Sequence, residues 1–422
     1  MRMTTVAPSA TALKPNPNWA QLPLFDRSNW ETVRFGDVVD LVSDTSRNPE
    51  AEGITRYIGL EHLEPGSLHI KTWGELVDGV TFTKRCRKGQ VLFGKRRAYQ
   101  RKVAMAEFEA LVSGDIYVFQ AKEELLDPKL LPFICMSERF FQFAVETSAG
   151  SLSPRTNWSH LKDFEFALPP LEQQRRIAEL LWTVDDVLTA SVAAYDQHRT
   201  SSFAIASALT LQGIDAGPMK DSPIGAIPAS WRCMRIEELT EDGAYGPRFP
   251  TSSYTPSGNV YQIRTTDFDR SGGIEFSTVP AAQVDERMII SHKLITRDFL
   301  LSRSGEYAGL TAVFIDPEDG RTYMPGAFLI RYRLSEHLDP YFLLALCESR
   351  FGKTYVERLA TGSAQPNISR GAFYRLYVPV PPVEEQRIIV NRIRQMESAG
   401  RAFVDHIANT KRLLNSLTNS LN

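Results

Sequence analysis

The most regular pattern in the chain is a run in which apolar positions recur by alternating steps of four and three. From Ile177 the steps reach Leu181, Val184, Leu188, Ser191, Tyr195, His198, Ser202, Ile205 and Leu209, and seven of these ten positions are apolar. The same steps begun 212 residues later give Ile389, Ile393, Met396, Gly400, Phe403, Ile407, Thr410, Leu414, Leu417 and Leu421, with eight of ten apolar. A 3.5-residue period held over five heptads predicts coiled-coil helices. Each opens on a proline pair, Pro169-Pro170 and Pro381-Pro382, where a missing N–H costs nothing because no helical carbonyl faces it. Glu172 and Glu384 follow, placed to favour the positive helix end. The first helix stops near Gly213 and Gly217-Pro218. Each is about 40 residues, roughly 60 Å at 1.5 Å per residue. The nearest available cover for one apolar seam is the other.

The two helices are part of a larger repetition. Gly150 to Ile177 and Gly362 to Ile389 are identical at nine of 28 ungapped positions. The same offset aligns Leu126-Asp127-Pro128 with Leu338-Asp339-Pro340, and Cys135 with Cys347. Upstream it shrinks: Trp30 matches Trp231 and Tyr57 matches Tyr261, so the second copy is about eleven residues longer, an increment expected in loops. The chain therefore divides into a flexible tail at 1–28, a globular part at 29–168, a long helix and linker at 169–228, a second globular part at 229–380 and a second long helix at 381–422. Its 422 residues suit two or three domains.

Composition narrows the classes. The chain is 43% hydrophobic and 23% charged, with no run of 18 apolar residues, which excludes disordered and membrane-spanning chains. Four cysteines without a CxxC pair argue against a disulfide framework or zinc ribbon and suit a reducing cytosol. The net charge of −2 decides nothing, so any nucleic-acid role rests on local clustering.

One such cluster exists. Lys84 to Lys102 holds nine Lys or Arg and no acid, around an apolar Val91-Leu92-Phe93 strand. Lys84, Arg85, Lys95, Arg96, Arg97, Tyr99, Arg101 and Lys102 are candidate DNA contacts, since cations reach phosphates and arginine reads guanine edges. The second copy keeps the strand at Phe299-Leu300-Leu301 but follows it with Arg303, Ser304 and Tyr307. Arg248 and Tyr254, in a Gly/Pro-rich loop, and Arg264 complete that candidate set. No catalytic or metal-ligating constellation stands out: there is no HExxH, no GxSxG and no adenine-methyltransferase tetrapeptide. Asp339-Pro340-Tyr341-Phe342 reads as a helix start, and Gly352-Lys353-Thr354 lacks the first glycine of a phosphate loop.

The order of these pieces resembles the specificity subunit of type I restriction-modification systems, the HsdS family, from about residue 29 to the C-terminus. The residues carrying the likeness are Leu168-Pro169-Pro170-Leu171-Glu172-Gln173-Gln174-Arg175-Arg176-Ile177 and Val380-Pro381-Pro382-Val383-Glu384-Glu385-Gln386-Arg387-Ile388-Ile389. The resemblance implies an α+β fold: two similar target recognition domains separated by two long helices that form an antiparallel coiled coil, with pseudo-twofold symmetry from the duplication. It implies a non-catalytic, cytoplasmic, DNA-associated protein of phage defence that reads a bipartite, asymmetric double-stranded site. Its partners would be two methyltransferase and two restriction/translocation subunits. S-adenosylmethionine, ATP and Mg2+ would belong to those partners, and adenine N6 methylation and cleavage to the assembled complex. The alternative from the residues alone is a coiled-coil scaffold whose basic run binds RNA or nothing.

Overall fold

The computed structural model describes residues 23–421 apart from 77, 78, 80, 151–153, 216, 270, 271 and 363–365. The described residues form two compact units: one runs to Ala194 and resumes at Ala402, and the other is Tyr195–Arg401.

In the first unit the strands are β1 (Glu31–Arg34), β2 (Val39–Val42), β3 (Arg56–Ile58), β4 (Gly74–Glu75), β5 (Lys84–Cys86), β6 (Val91–Gly94), β7 (Val103–Met105), β8 (Ala110–Val112), β9 (Ile116–Ala121) and β10 (Glu165–Leu168). They make two four-stranded sheets, β2-β9-β6-β7 and β4-β3-β8-β5, and a ribbon β1-β10. Among the described residues of this unit, only β3 and β8 pair in parallel. The helices are α1 (Phe35–Val38), α2 (Leu131–Met136), α3 (Glu138–Glu146), α4 (Trp158–Leu161) and the first part of α5 (Leu171–Gln212). Phe35, Phe93, Phe119 and Phe140 are fully buried at the centre of this unit's larger core. β6 is buried along its length because both its faces are covered, Val91 and Phe93 entering the larger core and Leu92 the smaller one.

The second unit repeats the plan. It contains β11 (Met219–Lys220), β12 (Ile227–Pro228), β13 (Arg232–Arg235), β14 (Thr240–Tyr245), β15 (Val260–Ile263), β16 (Ala281–Ala282), β17 (Phe299–Ser302), β18 (Thr311–Val313), β19 (Tyr323–Pro325), β20 (Leu329–Leu334) and β21 (Tyr377–Val380). The order β14-β20-β17-β18 reproduces β2-β9-β6-β7, and the ribbon β13-β21 reproduces β1-β10. The sheet β16-β15-β19, with β15 and β19 parallel, reproduces β4-β3-β8. At the place of β5 the second copy has a helix instead, α6 (Glu286–His292), against β19. The remaining helices are α7 (Pro340–Glu348), α8 (Arg350–Glu357), α9 (Arg370–Tyr374) and α10 (Val383–Asn419). Strand matches place the added residues between β14 and β15, between β15 and β17, and between β18 and β19, all in connections.

A buried glutamine explains why the repeat couples its Asp-Pro and Pro-Pro motifs. Gln174 accepts from Asp127 N (2.8 Å) and donates to Leu125 O (3.0 Å) and Pro169 O (2.8 Å). Gln386 does the same with Asp339 N (2.7 Å), His337 O (2.8 Å) and Pro381 O (2.9 Å). Each side chain locks the head of a long helix to the loop before α2 or α7. Asp339 caps α7 by accepting from Tyr341 N (2.8 Å), the helix start read from the sequence. Gly352 has a packing reason, since a Cβ there would lie 1.9 Å from Leu346 O.

The heptad positions of α10 are buried or half-buried throughout. Ile177, Leu181 and Val184 share the first unit's core with Leu414, Leu417 and Leu421. Leu209 shares the second unit's core with Ile389 and Ile393. Within each unit the early part of one helix therefore meets the late part of the other, the sense of an antiparallel pair. Leu188 and Tyr195 are half-buried, as are Met396, Phe403 and Ile407. Ile205 departs from the expected seam: it is 47% exposed, and Ala206 and Thr210 turn inward beside Leu209. A strict 3.5 repeat drifts about 20° per heptad around a straight helix, and the four heptads from Ile177 carry Ile205 off the face.

The N-terminal expectation also needs correction over 23–28. Phe25 is buried in the first unit's core, and Gln173 Nε2 donates to Leu24 O (2.8 Å) and Asp26 O (3.3 Å). The rest of the expected tail, 1–22, lies outside the described residues. Cys86, Cys135 and Cys347 are buried and Cys233 is half-buried; burial pushes the Cys86 thiol up to about 12. No described helix is long and apolar enough to cross a membrane.

Candidate nucleic-acid interface

The basic run folds as β5, a turn, β6 and the loop that returns to β7. Its charge is acid-free in sequence but not in space. Arg85 is paired with Glu52 (2.5 Å) and Glu109 (2.9 Å), and Arg87 with Asp44 (3.0 Å). Arg101 is held by both carboxylate oxygens of Glu138. Lys84 Nζ donates to Ile116 O (3.0 Å) and Lys102 Nζ to Leu60 O (2.7 Å). Burial, with help from Lys95, lowers the Lys84 ammonium to about 8. These four candidates are largely committed to the fold.

The tip of the loop is different. Ala98 is buried and anchors a single 3-10 turn, Ala98–Gln100, between Arg97 and Arg101, both left-handed at φ 55°. The left-handed region costs a non-glycine residue about 1 kcal/mol or more. Three backbone bonds hold the tip: Lys95 N to Asp115 O (3.0 Å), Arg97 N to Pro154 O (2.8 Å) and Thr156 N to Lys95 O (2.9 Å). They display Arg97 and Tyr99, the latter 55% exposed. Lys95 Nζ lies 5.0 Å from the Tyr117 ring centre, and Arg96 pairs with Asp115 (3.3 Å). Arg155, not singled out in the sequence, pairs with the other oxygen of Asp115 (3.1 Å).

The loop after β17 keeps the same anchors and positive-φ positions with other side chains, its turn lying one residue earlier. Its turn is Gly305–Tyr307, and its two left-handed positions are glycines, Gly305 at φ 74° and Gly309 at φ 97°. The anchors recur: Arg303 N to Phe328 O (2.8 Å), Gly305 N to Pro366 O (3.0 Å) and Ile368 N to Arg303 O (2.8 Å). Tyr307 stands where Tyr99 stands and is also exposed. Arg303 donates to Asn367 Oδ1 (3.3 Å) and lies 4.8 Å from the Tyr245 ring centre. Ser304 donates to the same Asn367 oxygen (3.1 Å).

The other second-copy candidates separate. Arg248 is exposed, beside a buried Phe249. Tyr254 donates its hydroxyl to Gln262 while its ring stays 40% exposed. Arg264 is spent locally on Asp267 (2.7 Å) and on Thr278 O (2.8 Å). Sequence reasoning missed Tyr245, Asn367 and Arg370, whose guanidinium lies 5.6 Å from the Tyr245 ring centre. The signal available for Asn367 and Arg155 was that unlike residues occupy one spot of the Gly-Ser-to-Pro-Pro repeat. Among the described residues, no three His, Cys, Asp or Glu side chains gather in a way that could hold a metal ion.

The loops can do one kind of chemistry: present cations, hydroxyls and exposed aromatic rings from a fixed backbone, suited to phosphate and base-edge contacts. Comparison with known proteins agrees with the doubled plan. The family described as "Type I restriction modification DNA specificity domain" matches twice, over residues 27–194 and 228–409. The MjaVIII specificity subunit of Methanocaldococcus jannaschii is 22% identical over 388 residues, covering 88% of this chain and 86% of that one. The EcoDI specificity subunit of Escherichia coli is 28% identical over 173 residues, or 38% of this chain and 36% of that one. Among solved structures, a chain from work on complex assembly and conformational transition of the type I R-M system superposes with a TM-score of 0.61 at 21% identity. It covers 93% of this chain and 97% of that one. With its paired matches spanning both copies, the chain belongs to the type I restriction-modification DNA specificity family.

Proposed function

We propose that this chain reads a split, asymmetric double-stranded DNA site, one half-site per globular part, and docks two methyltransferase and two restriction/translocation subunits while catalysing nothing itself. The recognition domains are 29–168 and 229–380. The long helices with their linker, 169–228 and 381–422, join them. Methyl transfer from S-adenosylmethionine and ATP- and Mg2+-dependent translocation and cutting belong to the partners, and the complex works on DNA in the cytoplasm.

One observation carries the reading: the same loop anchors occur twice, with an exposed tyrosine at the same place and different polar side chains around it. A single reader duplicated and diverged is what an asymmetric site requires, since an unmodified twofold reader demands a palindrome. On this reading Lys95, Arg97 and Tyr99 face one half-site, and Arg248, Arg303, Ser304 and Tyr307 the other. Lys84, Arg85, Arg101, Lys102 and Arg264 support those loops, and Arg96 is oriented by Asp115.

Methylation-aware sequencing of DNA from cells expressing this chain with its methyltransferase partner, against cells lacking only this chain, tests the proposal. A split adenine-methylated motif that disappears without the chain is the expected result. Absence of any chain-dependent motif, with an assembled and competent methyltransferase, overturns it in favour of an interaction scaffold.

A further inference from the structure

Phe328 is 60% exposed, yet it sits at a junction of bonded backbone segments. Its carbonyl accepts from Arg303 N (2.8 Å), and the next residue, Leu329, bonds Gly326 O (2.9 Å) and Gly246 N (2.9 Å). Gly326 N donates in turn to Ile263 O (2.7 Å). A Cβ on Gly246 would lie 1.9 Å from Gly326 O, so these segments touch backbone to backbone. The ring is therefore held out by a rigid junction of the same loops that carry Arg248 and Arg303.

The first unit shows what this position is for. Asp115 precedes β9 as Phe328 precedes β20, and its carbonyl accepts from Lys95 N as that of Phe328 does from Arg303 N. Arg96 bridges to Arg155 in the first unit as Ser304 bridges to Asn367 in the second. The charged group Arg96–Asp115–Arg155 thus becomes Ser304–Phe328–Asn367 on the same backbone bonds. Every charge is removed and an exposed aromatic ring is added. Among the described residues the ring joins no hydrophobic core of the second unit. In the major groove the apolar feature a base pair offers is the C5 methyl group of thymine, and phenylalanine is suited to contact it.

We propose that Phe328 is a specificity-determining residue that packs on the methyl group of a thymine in one half-site; this rests on the DNA-reading proposal above. The test uses the chain assembled with its methyltransferase partner and duplexes carrying the methylated motif, with each thymine replaced in turn by deoxyuridine. That replacement removes the methyl group and leaves the hydrogen-bonding edge intact. The expected result is about a fourfold loss of affinity at one position, the ratio that corresponds to about 0.8 kcal/mol for one buried carbon group. Phe328→Ala should bind the thymine and deoxyuridine duplexes equally at that position, with the other half-site's base dependence unchanged. Phe328→Leu should keep about a twofold preference, separating lost apolar contact from lost folding. An unchanged thymine-to-deoxyuridine ratio in Phe328→Ala, or no sensitive thymine in either half-site, overturns the inference while leaving DNA reading intact. A wild-type complex that prefers no duplex sequence overturns both.

Discussion

Gln174 and Gln386 show how much one polar side chain can organise when it is buried with all its partners. Each satisfies an N–H and two carbonyls at the head of a long helix. Removing one partner leaves the others unpaired out of water, at about 1–3 kcal/mol for a neutral group. Gln174→Ala and Gln386→Ala are each expected to lower unfolding free energy by about that much or more, read by chemical denaturation. Arg97 is the opposite case, a residue whose backbone works against it. Arg97→Gly should leave stability unchanged or raise it by about 1 kcal/mol, because glycine enters the left-handed region freely. DNA binding should nevertheless weaken and its salt slope fall by about 0.9 if the guanidinium meets one phosphate. A melting curve and a salt titration on the same sample check both halves.

At the scale of elements, the loop between β3 and β4 is pinned to α5 through His69. Its Nε2 lies 2.7 Å from Asp185 Oδ2 and its Nδ1 3.1 Å from Glu107 Oε1, with the ring edge-on to Trp182. Burial lowers the imidazole's affinity for a proton, but the bonds to Glu107 and Asp185 outweigh it and hold the value above 6.5. Asp185 itself is pushed up by burial, against the pull of His69 and with Asp186 as a like-charged neighbour. A raised histidine stabilises the fold fully below pH 6.5 and loses that contribution as pH rises through its folded value. The difference in unfolding midpoint between the wild type and His69→Gln should therefore be larger at pH 6 than at pH 8.5. An equal gap at both values would remove the protonated bridge from the account.

The same scale shows what could be read from the chain beforehand. The long helices were legible because a seam repeats every seven residues, and the doubled plan because constant segments carry Pro-Pro and Asp-Pro at one offset. The acids that neutralise the basic run were not, because they reach it from distant parts of the chain, Glu52 and Asp115 from turns and Glu138 from α3. Arg85 and Arg101 consequently read as free cations when they are structural. Tyr99 and Tyr307 were found because an aromatic beside cations in a loop has no core to fill. Phe328 was hidden, since an apolar residue before an apolar strand looks like more strand.

For the whole molecule, the division into units falls within the helices, at Ala194–Tyr195 and Arg401–Ala402, so each unit keeps a core of its own. Inserting one heptad at both points preserves the seam and adds about 10 Å to each helix. If the helices set the distance between half-sites, the unread spacer should lengthen by about three base pairs at roughly 3.4 Å each, with both half-sites retained. Methylome sequencing reads the outcome directly, and an unaltered spacer would reject the ruler. The matched loop tips bear on heredity. Where the same backbone bonds anchor both loops, a point change in the gene alters the residue displayed without rebuilding the anchors that display it. Each copy can then drift by single codons while its sibling preserves a working half, so new specificities lie within short mutational reach.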